Sequence, residues 1–196
     1  RGWDEALRRY GTMSFEQVLA PAIDVAERGF RIDANFSTLV ARNEGKFARF
    51  PAAAALYLQN GKAIRPGTLL RNPDLAGTYR LLGRDGVDAF YDGPLADAIV
   101  ATVNRPPTAP GESVRGSRMT LADLANYEAR LRLPVHSTYR GYDLYGMPLP
   151  SSGGVTVFEA LNLLEGYDLA SMSRAQVEHL YLEASRLAFA DRDAYL

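Results

Sequence analysis

The chain has no cysteine among its 196 residues. Disulfide bridges, thiolate catalysis and cysteine-based zinc or iron–sulfur sites are excluded together. The compartment stays open, because secreted bacterial proteins also dispense with cysteine. Histidine is scarce, with His136 and His179 the only two. A basic excess is missing as well: the formal net charge is -1, whereas nucleic-acid binders carry clustered Lys and Arg to neutralise phosphates. Runs of like charge and internal repeats are lacking. No apolar stretch approaches the roughly 18 to 20 residues needed to span a bilayer. No cofactor-binding fingerprint is present, so no cofactor is expected. What remains is a globular composition, 47% hydrophobic, long enough for one domain with a sizeable core or a domain plus an arm. The first residue is Arg1 rather than methionine, as in a processed or truncated chain, and a signal peptide could have stood upstream.

Local signals predict mostly helices. WDEALRRY, 3 to 10, has helical spacing and stops at Gly11. Ser14 with Gln17 forms a capping-box pattern, and Pro21 is expected to break or kink the helix that follows. A segment from Pro21 to Arg28 should end at Gly29. Residues 35–50 read as one looser helix and PAAAALYL, 51 to 58, as a short one. Asn60-Gly61 marks a turn in a small hairpin. Asn72-Pro73 opens a helix carrying Leu75, Tyr79 and Leu82, with an end expected between Gly83 and Gly86. FYDG, 90 to 93, reads as a turn before a helix with Leu95, Ile99, Val100 and Val103. Residues 104–118, NRPPTAPGESVRGSR, have almost no apolar content and read as a flexible loop. Thr120 with Asp123 restarts a short helix. LPVHSTYRGYDLYGM then turns β-branched and aromatic, a hairpin about Arg140-Gly141. A helix from Val155 to Leu164 and a last one opened by Ser173 and Gln176 complete the chain. The expected fold class is α+β, mostly helical with one β-hairpin. The expected organisation is a single fragment over 1–196: a helical part over 1–103, the loop over 104–118, then a helix, the hairpin and two C-terminal helices over 119–196.

PLPSSGGVTVFEALNLLEG, 148 to 166, concentrates the candidate chemistry. Ser151 or Ser152 could be a nucleophile with His136 or His179 as base and Asp191 or Asp193 as orienter, but the G-x-S-x-G elbow is missing. Gly153-Gly154 could cradle an anion at a helix N-terminus, but no G-x-x-x-x-G-K follows. The plainer reading has the serines satisfying free N–H groups of the next helix and the glycines allowing close packing on the hairpin. Glu178, His179 and Glu183 share helix surface, yet H-E-x-x-H is absent and no third metal ligand is evident. DRDAY, 191 to 195, is a carboxylate–arginine patch that reads as a salt-bridged helix end. On residues alone, no catalytic, substrate-binding or metal-binding residue is assigned.

Four stretches together resemble one family. RRYGTMSFEQVLAPAIDVAERGF (8–30), FYDGPLADAIV (90–100), MTLADLANYEARLRLPVHSTYRGYDLYGMPLPSSGGVTVFEALNLLEGYDL (119–169) and HLYLEASRLAFADRDAYL (179–196) are similar, in order, to the large-chain region of the γ-glutamyltranspeptidases. These are N-terminal-nucleophile hydrolases with an αββα sandwich.

The resemblance implies a precursor that cleaves itself. Threonine at the start of the smaller C-terminal chain is then the nucleophile, with its own α-amino group as base. It attacks γ-glutamyl amides such as glutathione, and water or an amine takes the acyl group. On this reading the nucleophile lies beyond Leu196, and the arginine that binds the substrate α-carboxylate lies upstream of Arg1. Ser151, Ser152, Gly153 and Gly154 match the large-chain PSSGG motif, a structural motif distinct from the family's catalytic serine and glycine pairs. Leu149 replaces a usual proline, and the 104–118 loop follows no family pattern. The expected partner is the small chain of the same precursor. The fragment alone is expected to be inactive, with exposed apolar faces and a strand edge that favour self-association. Periplasmic or extracellular location follows from resemblance only. The alternatives are a cephalosporin or poly-γ-glutamate acylase, or a non-catalytic helical binding module.

Overall fold

The computed structural model describes residues 1–196, which divide into two compact units, Arg1–Ala129 and Arg130–Leu196. In the first unit, α1 (Gly2–Tyr10) precedes α2 (Phe15–Arg28). The capping box forms as expected: the Gln17 N–H donates to Ser14 Oγ at 3.2 Å, and the Ser14 N–H donates to Gln17 Oε1 at 2.8 Å. The break expected at Pro21 does not occur, and α2 runs through it. Gln17 and Pro21 are both exposed, so water can take the carbonyl that proline leaves unpaired. Burial of Leu19 and Ala26 offsets the remaining cost, since one buried leucine is worth about 1.5 to 3 kcal/mol, close to the ~3 kcal/mol of an interior proline.

Gly29 closes α2 at φ +81°, its N–H donating to the Val25 carbonyl. A Cβ there would lie 2.5 Å from the Leu70 carbonyl oxygen. β1 (Phe30–Arg31) pairs antiparallel with the later β4 (Leu69–Leu70). This ladder is too short to show an alternating pattern in sequence. The single helix expected over 35–50 is two, α3 (Ala34–Ala41) and α4 (Glu44–Ala48). Asn43 separates them at φ -118°, ψ 12°, its side chain bonding back to the Leu39 carbonyl. Asparagine competes for local backbone groups in this way and so interrupts helices.

Next come α5 (Pro51–Tyr57) and the hairpin of β2 (Leu58–Gln59) and β3 (Lys62–Ala63). Asn60 and Gly61 both take positive φ, as a two-residue type I′ hairpin turn requires. α6 (Pro73–Asp85) is capped by Asn72 Oδ1, which accepts the Leu75 N–H, and packs along α2. The helix passes through Gly83, where a Cβ would stand 3.2 Å from the Glu16 Cα, and ends at Gly86. FYDG is not simply a turn: Phe90 and Tyr91 belong to a one-turn helix, α7 (Asp88–Tyr91), before α8 (Pro94–Asn104). The segment after α8 holds no helix or strand until α9 (Leu121–Ala125). Arg49 Nε reaches Glu112 at 2.7 Å, Arg49 Nη2 reaches the Ser113 carbonyl at 2.9 Å, and the Ala109 N–H donates to the Arg49 carbonyl.

The second unit holds β5 (Val135–Tyr139), β6 (Tyr142–Gly146), α10 (Gly153–Glu165), a 3₁₀ turn (Leu169–Ser171) and α11 (Arg174–Tyr195). The hairpin register pairs Val135 with Gly146 and Tyr139 with Tyr142. Arg140 and Gly141 turn it at positive φ. Arg140 also ties the turn to the end of α10 and the segment after it, its N–H donating to Glu165 Oε1 at 2.7 Å and its guanidinium to the Tyr167 carbonyl at 2.8 Å. Strand residues alternate half-buried and exposed, with one face on α10. α11 packs on α10, burying Ala184 and Ala188. The whole is α+β and mostly helical, with three two-stranded antiparallel ladders, of which only β5–β6 exceeds two residues per strand.

Candidate functional site

The PSSGG segment lies where the hairpin hands the chain to α10. Ser152 is the residue before the first helical position, but its side chain caps nothing. This corrects the expectation that the serines satisfy the helix N–H groups. Ser152 sits at φ -80°, ψ -16°, already helical, whereas a capping residue needs extended backbone to turn its oxygen onto the N–H groups. Its Oγ instead accepts from Arg192 Nε at 3.0 Å, across to α11. Arg192 Nη1 pairs with Asp193 at 2.7 Å, and its guanidinium lies over the Phe189 ring. The Ser151 N–H donates to the Pro148 carbonyl at 3.1 Å.

The two glycines differ. A Cβ on Gly154 would lie 2.8 Å from the Met147 carbonyl oxygen and 2.9 Å from Val135 Cγ2. Gly146 returns the constraint: a Cβ there would lie 2.9 Å from the Gly154 Cα and 3.0 Å from Phe158 Cζ. Two glycines, one on β6 and one on α10, therefore let backbone meet backbone. Gly153 is unconstrained, with Ser151 Oγ the nearest atom at 3.8 Å.

The serine–histidine–aspartate set written from the sequence is dispersed. His136 Nε2 lies 2.8 Å from Asp143 Oδ1, with its ring 4.8 Å from that of Tyr145, on the exposed face of the hairpin. Its orienting carboxylate is thus Asp143 rather than Asp191 or Asp193, and Ser152 faces Arg192 rather than a base. Glu178 pairs with Arg174 at 2.6 Å and Glu183 with Arg186 at 2.7 Å. The arginine next to Glu183 holds that carboxyl below its ordinary range. His179 lines a separate hollow with Tyr167, Met172 and Leu180.

One titratable contact carried no local signal. Glu159 of α10 meets Asp191 of α11. Burial raises the Glu159 carboxyl above its ordinary range, and the hydrogen bond with the Asp191 carboxyl acts in the same direction. Thirty-two positions separate the two, so only the helix packing brings them together. Beside them an open cavity of about 530 Å³ runs between β5 and α10, lined by Val135, Ser137, Phe158, Glu159 and Asn162 among others. In the first unit a cavity of about 400 Å³ is chiefly apolar, with Trp3, Phe15, Leu75, Leu82 and Phe90 in its wall. His136 also lies in the wall of the cavity beside α10, but it bonds Asp143 while Ser137 Oγ bonds the Asn162 amide at 3.2 Å, so the hydroxyl and the imidazole have separate partners.

The family model described as gamma-glutamyltranspeptidase matches residues 1–196. The chain belongs to that family. It is similar to the acylase ACY 1 proenzyme of Pseudomonas sp. (strain SE83), 41% identical over 194 residues, covering 98% of this chain and 33% of the relative. It is 36% identical to the glutathione hydrolase proenzyme of Pseudomonas sp. (strain A14), covering 100% of this chain and 33% of the relative. Among solved structures, the gamma-glutamyltranspeptidase of Helicobacter pylori matches with a TM-score of 0.85 at 30% identity, over 98% of this chain and 53% of that one. The chain thus spans about one third of the length of the curated relatives it matches. The mostly helical α+β arrangement is that of a part of an N-terminal-nucleophile hydrolase fold. No helix of the chain is long and apolar enough to cross a membrane.

Proposed function

We propose that the parent protein is a γ-glutamyl acyltransferase or hydrolase, and that residues 1–196 form part of its large-chain scaffold. The family match across all 196 residues carries this reading. In the proposed reaction a threonine outside this chain attacks the carbonyl carbon of a γ-glutamyl amide such as glutathione. Its hydroxyl proton passes to its α-amino group and then to the leaving amine as the C–N bond breaks. Water or a second amine attacks the resulting γ-glutamyl ester, releasing the threonine. The partner is the small chain of the same precursor, and the location is periplasmic or extracellular. Ser151, Ser152, Gly153 and Gly154 act structurally here: Ser152 fixes Arg192, and Gly154 seats α10 on the hairpin.

A second reading, an amide acylase acting on another acyl group, is supported by the acylase relative, which is more identical to this chain than the glutathione hydrolase is.

The test uses the full-length parent. Intact mass and N-terminal sequencing should show a second polypeptide that begins with threonine, and the mature protein should release the chromophore from a γ-glutamyl anilide. Residues 1–196 alone should release none. A mature, two-chain protein that deacylates a β-lactam side chain and leaves the anilide intact selects the acylase reading. A parent that stays uncleaved and acts on neither substrate selects a binding module.

A further inference from the structure

The segment after α8 folds back on the end of that helix. The Ser117 N–H donates to the Val103 carbonyl at 2.7 Å, and Asn104 Nδ2 donates to the Met119 carbonyl at 2.8 Å. Between these bonds Gly116 crosses Asn104 so closely that a Cβ would lie 2.1 Å from the Asn104 carbonyl oxygen. Arg105, Arg115 and Arg118 each stand one or two positions from this crossing. All three are exposed, and their guanidiniums form no hydrogen bond or ion pair. Glu112 is the only carboxylate between positions 104 and 118, and Arg49 holds it at 2.7 Å. Arg105 suits the negative C-terminal end of α8, but Arg115 and Arg118 lie on no helix. Three like charges are thus gathered with no free carboxylate in the loop, and each repels the others.

Next to the crossing lies an open hollow of about 380 Å³. Val100 and Ala101 of α8 and Leu121 of α9 give it an apolar wall, and Asp97, Asn104 and Arg105 supply its polar groups. Asn104 Oδ1 is buried without a hydrogen-bond partner, and an unpaired buried acceptor is costly. Asp97 and Arg105 stand eight positions apart and do not pair, since that spacing is roughly 12 Å along a helix. Along α8 the order is therefore carboxylate, apolar wall, amide and guanidinium.

We infer that this hollow and its arginine edge dock a short acidic peptide that carries one apolar side chain. The apolar side chain sits against Val100, Ala101 and Leu121, a backbone N–H meets Asn104 Oδ1, and neighbouring carboxylates pair with Arg105, Arg115 and Arg118. Guanidinium forks match carboxylates bidentately, which a point charge does not. Charge complementarity sets the orientation, because Asp97 keeps acidic residues to the arginine end. A lipid surface fits less well. No large apolar side chain is exposed between 104 and 118 to insert into it, as a helix or loop lying in a membrane interface requires, and a flat bilayer does not enter a concave site.

The test uses the full-length parent and tritiated, α-linked tetrapeptides of one leucine and three glutamates, with leucine first or last, in equilibrium dialysis. One of the two should bind saturably, and added salt should weaken it. Arg105→Gln, Arg115→Gln and Arg118→Gln together should weaken binding roughly tenfold or more. The same charge removed elsewhere, by Arg42→Gln, Lys46→Gln and Arg65→Gln, should change it less than about twofold. Serine in place of the leucine should also cost roughly tenfold. Absence of saturable binding would overturn the inference. So would equal losses from the two triple variants, which would mean attraction by charge alone, or equal binding of the serine peptide, which would leave the hollow unused. Arginine-dependent binding to phosphatidylserine vesicles without saturable peptide binding would make a lipid surface the partner and overturn it too. If the first triple variant does not fold, phenylglyoxal labelling of the unaltered parent gives the same reading. Saturating peptide should slow labelling of Arg105, Arg115 and Arg118 and leave Arg42 unchanged, and equal labelling with and without peptide counts against the site.

Discussion

The two units bury their apolar residues to different degrees. Residues 1–129 hold Leu19, Ala26, Ile32, Val40, Ile64, Ala76, Leu82 and Ala96 in the core, whereas residues 130–196 hold only Leu164, Ala184 and Ala188, with Thr156. In the first, large aliphatic side chains fill the space between helices and short ladders. In the second, the contact is made by small residues: alanines between two helices, and glycines between a strand and a helix. The hairpin of the second unit has one face on α10 and leaves Tyr142, Tyr145 and Met147 exposed. A two-stranded hairpin is marginal by itself. The second unit is therefore built around close backbone approach and open to further packing, while the first relies on side-chain volume.

That contrast can be broken at its two anchor points. Leu82→Ala should destabilise the first unit by about 2 to 5 kcal/mol, because it removes the largest class of buried group and leaves a cavity. Hydrogen exchange within α2 and α6 of the full-length parent would report it. A loss below about 1 kcal/mol would mean that the helices collapse onto the space and that volume is not what holds this unit. In the second unit the matching change adds atoms. Gly154→Ala puts a methyl 2.8 Å from the Met147 carbonyl oxygen, and backbone cannot yield there as a flexible side chain could. A cost of about 1 to 3 kcal/mol is expected for such overpacking, read as faster exchange in β5, β6 and α10. Gly153→Ala, in open space, should change exchange little or improve it slightly, since alanine suits a helix better than glycine. Equal effects at 153 and 154 would remove the close-approach explanation.

The same distinction explains what the sequence reveals. Features set within four residues were legible. The capping boxes at Ser14, Thr120 and Ser173 form, as do the turns at Asn60-Gly61 and Arg140-Gly141. Features set by packing were not. Pro21 is carried through α2 by burial elsewhere on that helix. Ser152 looked like a cap, but Arg192, forty positions on, takes its oxygen. The close packing expected of the glycines is met at Gly154 and not at Gly153, but its partner Gly146 and the Glu159–Asp191 pair are residues that no local pattern relates. The PSSGG and DRDAY stretches were among those that stood out in advance, and the structure places one member of each, Ser152 and Arg192, in direct contact.

That contact gives a smaller prediction. Ser152→Ala leaves Arg192 Nε without its partner in a half-buried position, at a cost of about 1 to 2 kcal/mol. Ser151→Ala, at a residue that bonds Pro148 through its backbone N–H, should cost less. In the mature parent neither should lower the rate of acyl transfer, so kcat on the anilide should hold while thermal stability drops for Ser152→Ala. A Ser152→Ala enzyme that folds, matures and yet fails to acylate would restore the nucleophile reading. A double-mutant cycle with Arg192→Ala isolates the pair, because each single change already removes the same bond.

The smallest expected effect concerns the α10–α11 carboxyl pair, and it has a pH signature. The folded-state Glu159 carboxyl lies above its unfolded value. Its contact with Asp191 therefore favours the fold while Glu159 is protonated, below the ordinary glutamate range. That contribution is lost as pH rises through the raised folded value, where two like charges face each other. Asp191→Asn removes the second charge and brings Glu159 back toward its ordinary range. The melting temperature of the variant, relative to the unaltered protein, should rise between pH 4 and pH 7. Because Asp191 is exposed and solvent screens the pair, the change should be modest, and smaller at high salt than at low salt. A difference that stays constant across this range would mean that the two carboxyls do not share a proton and that α11 docks on α10 through its alanines alone.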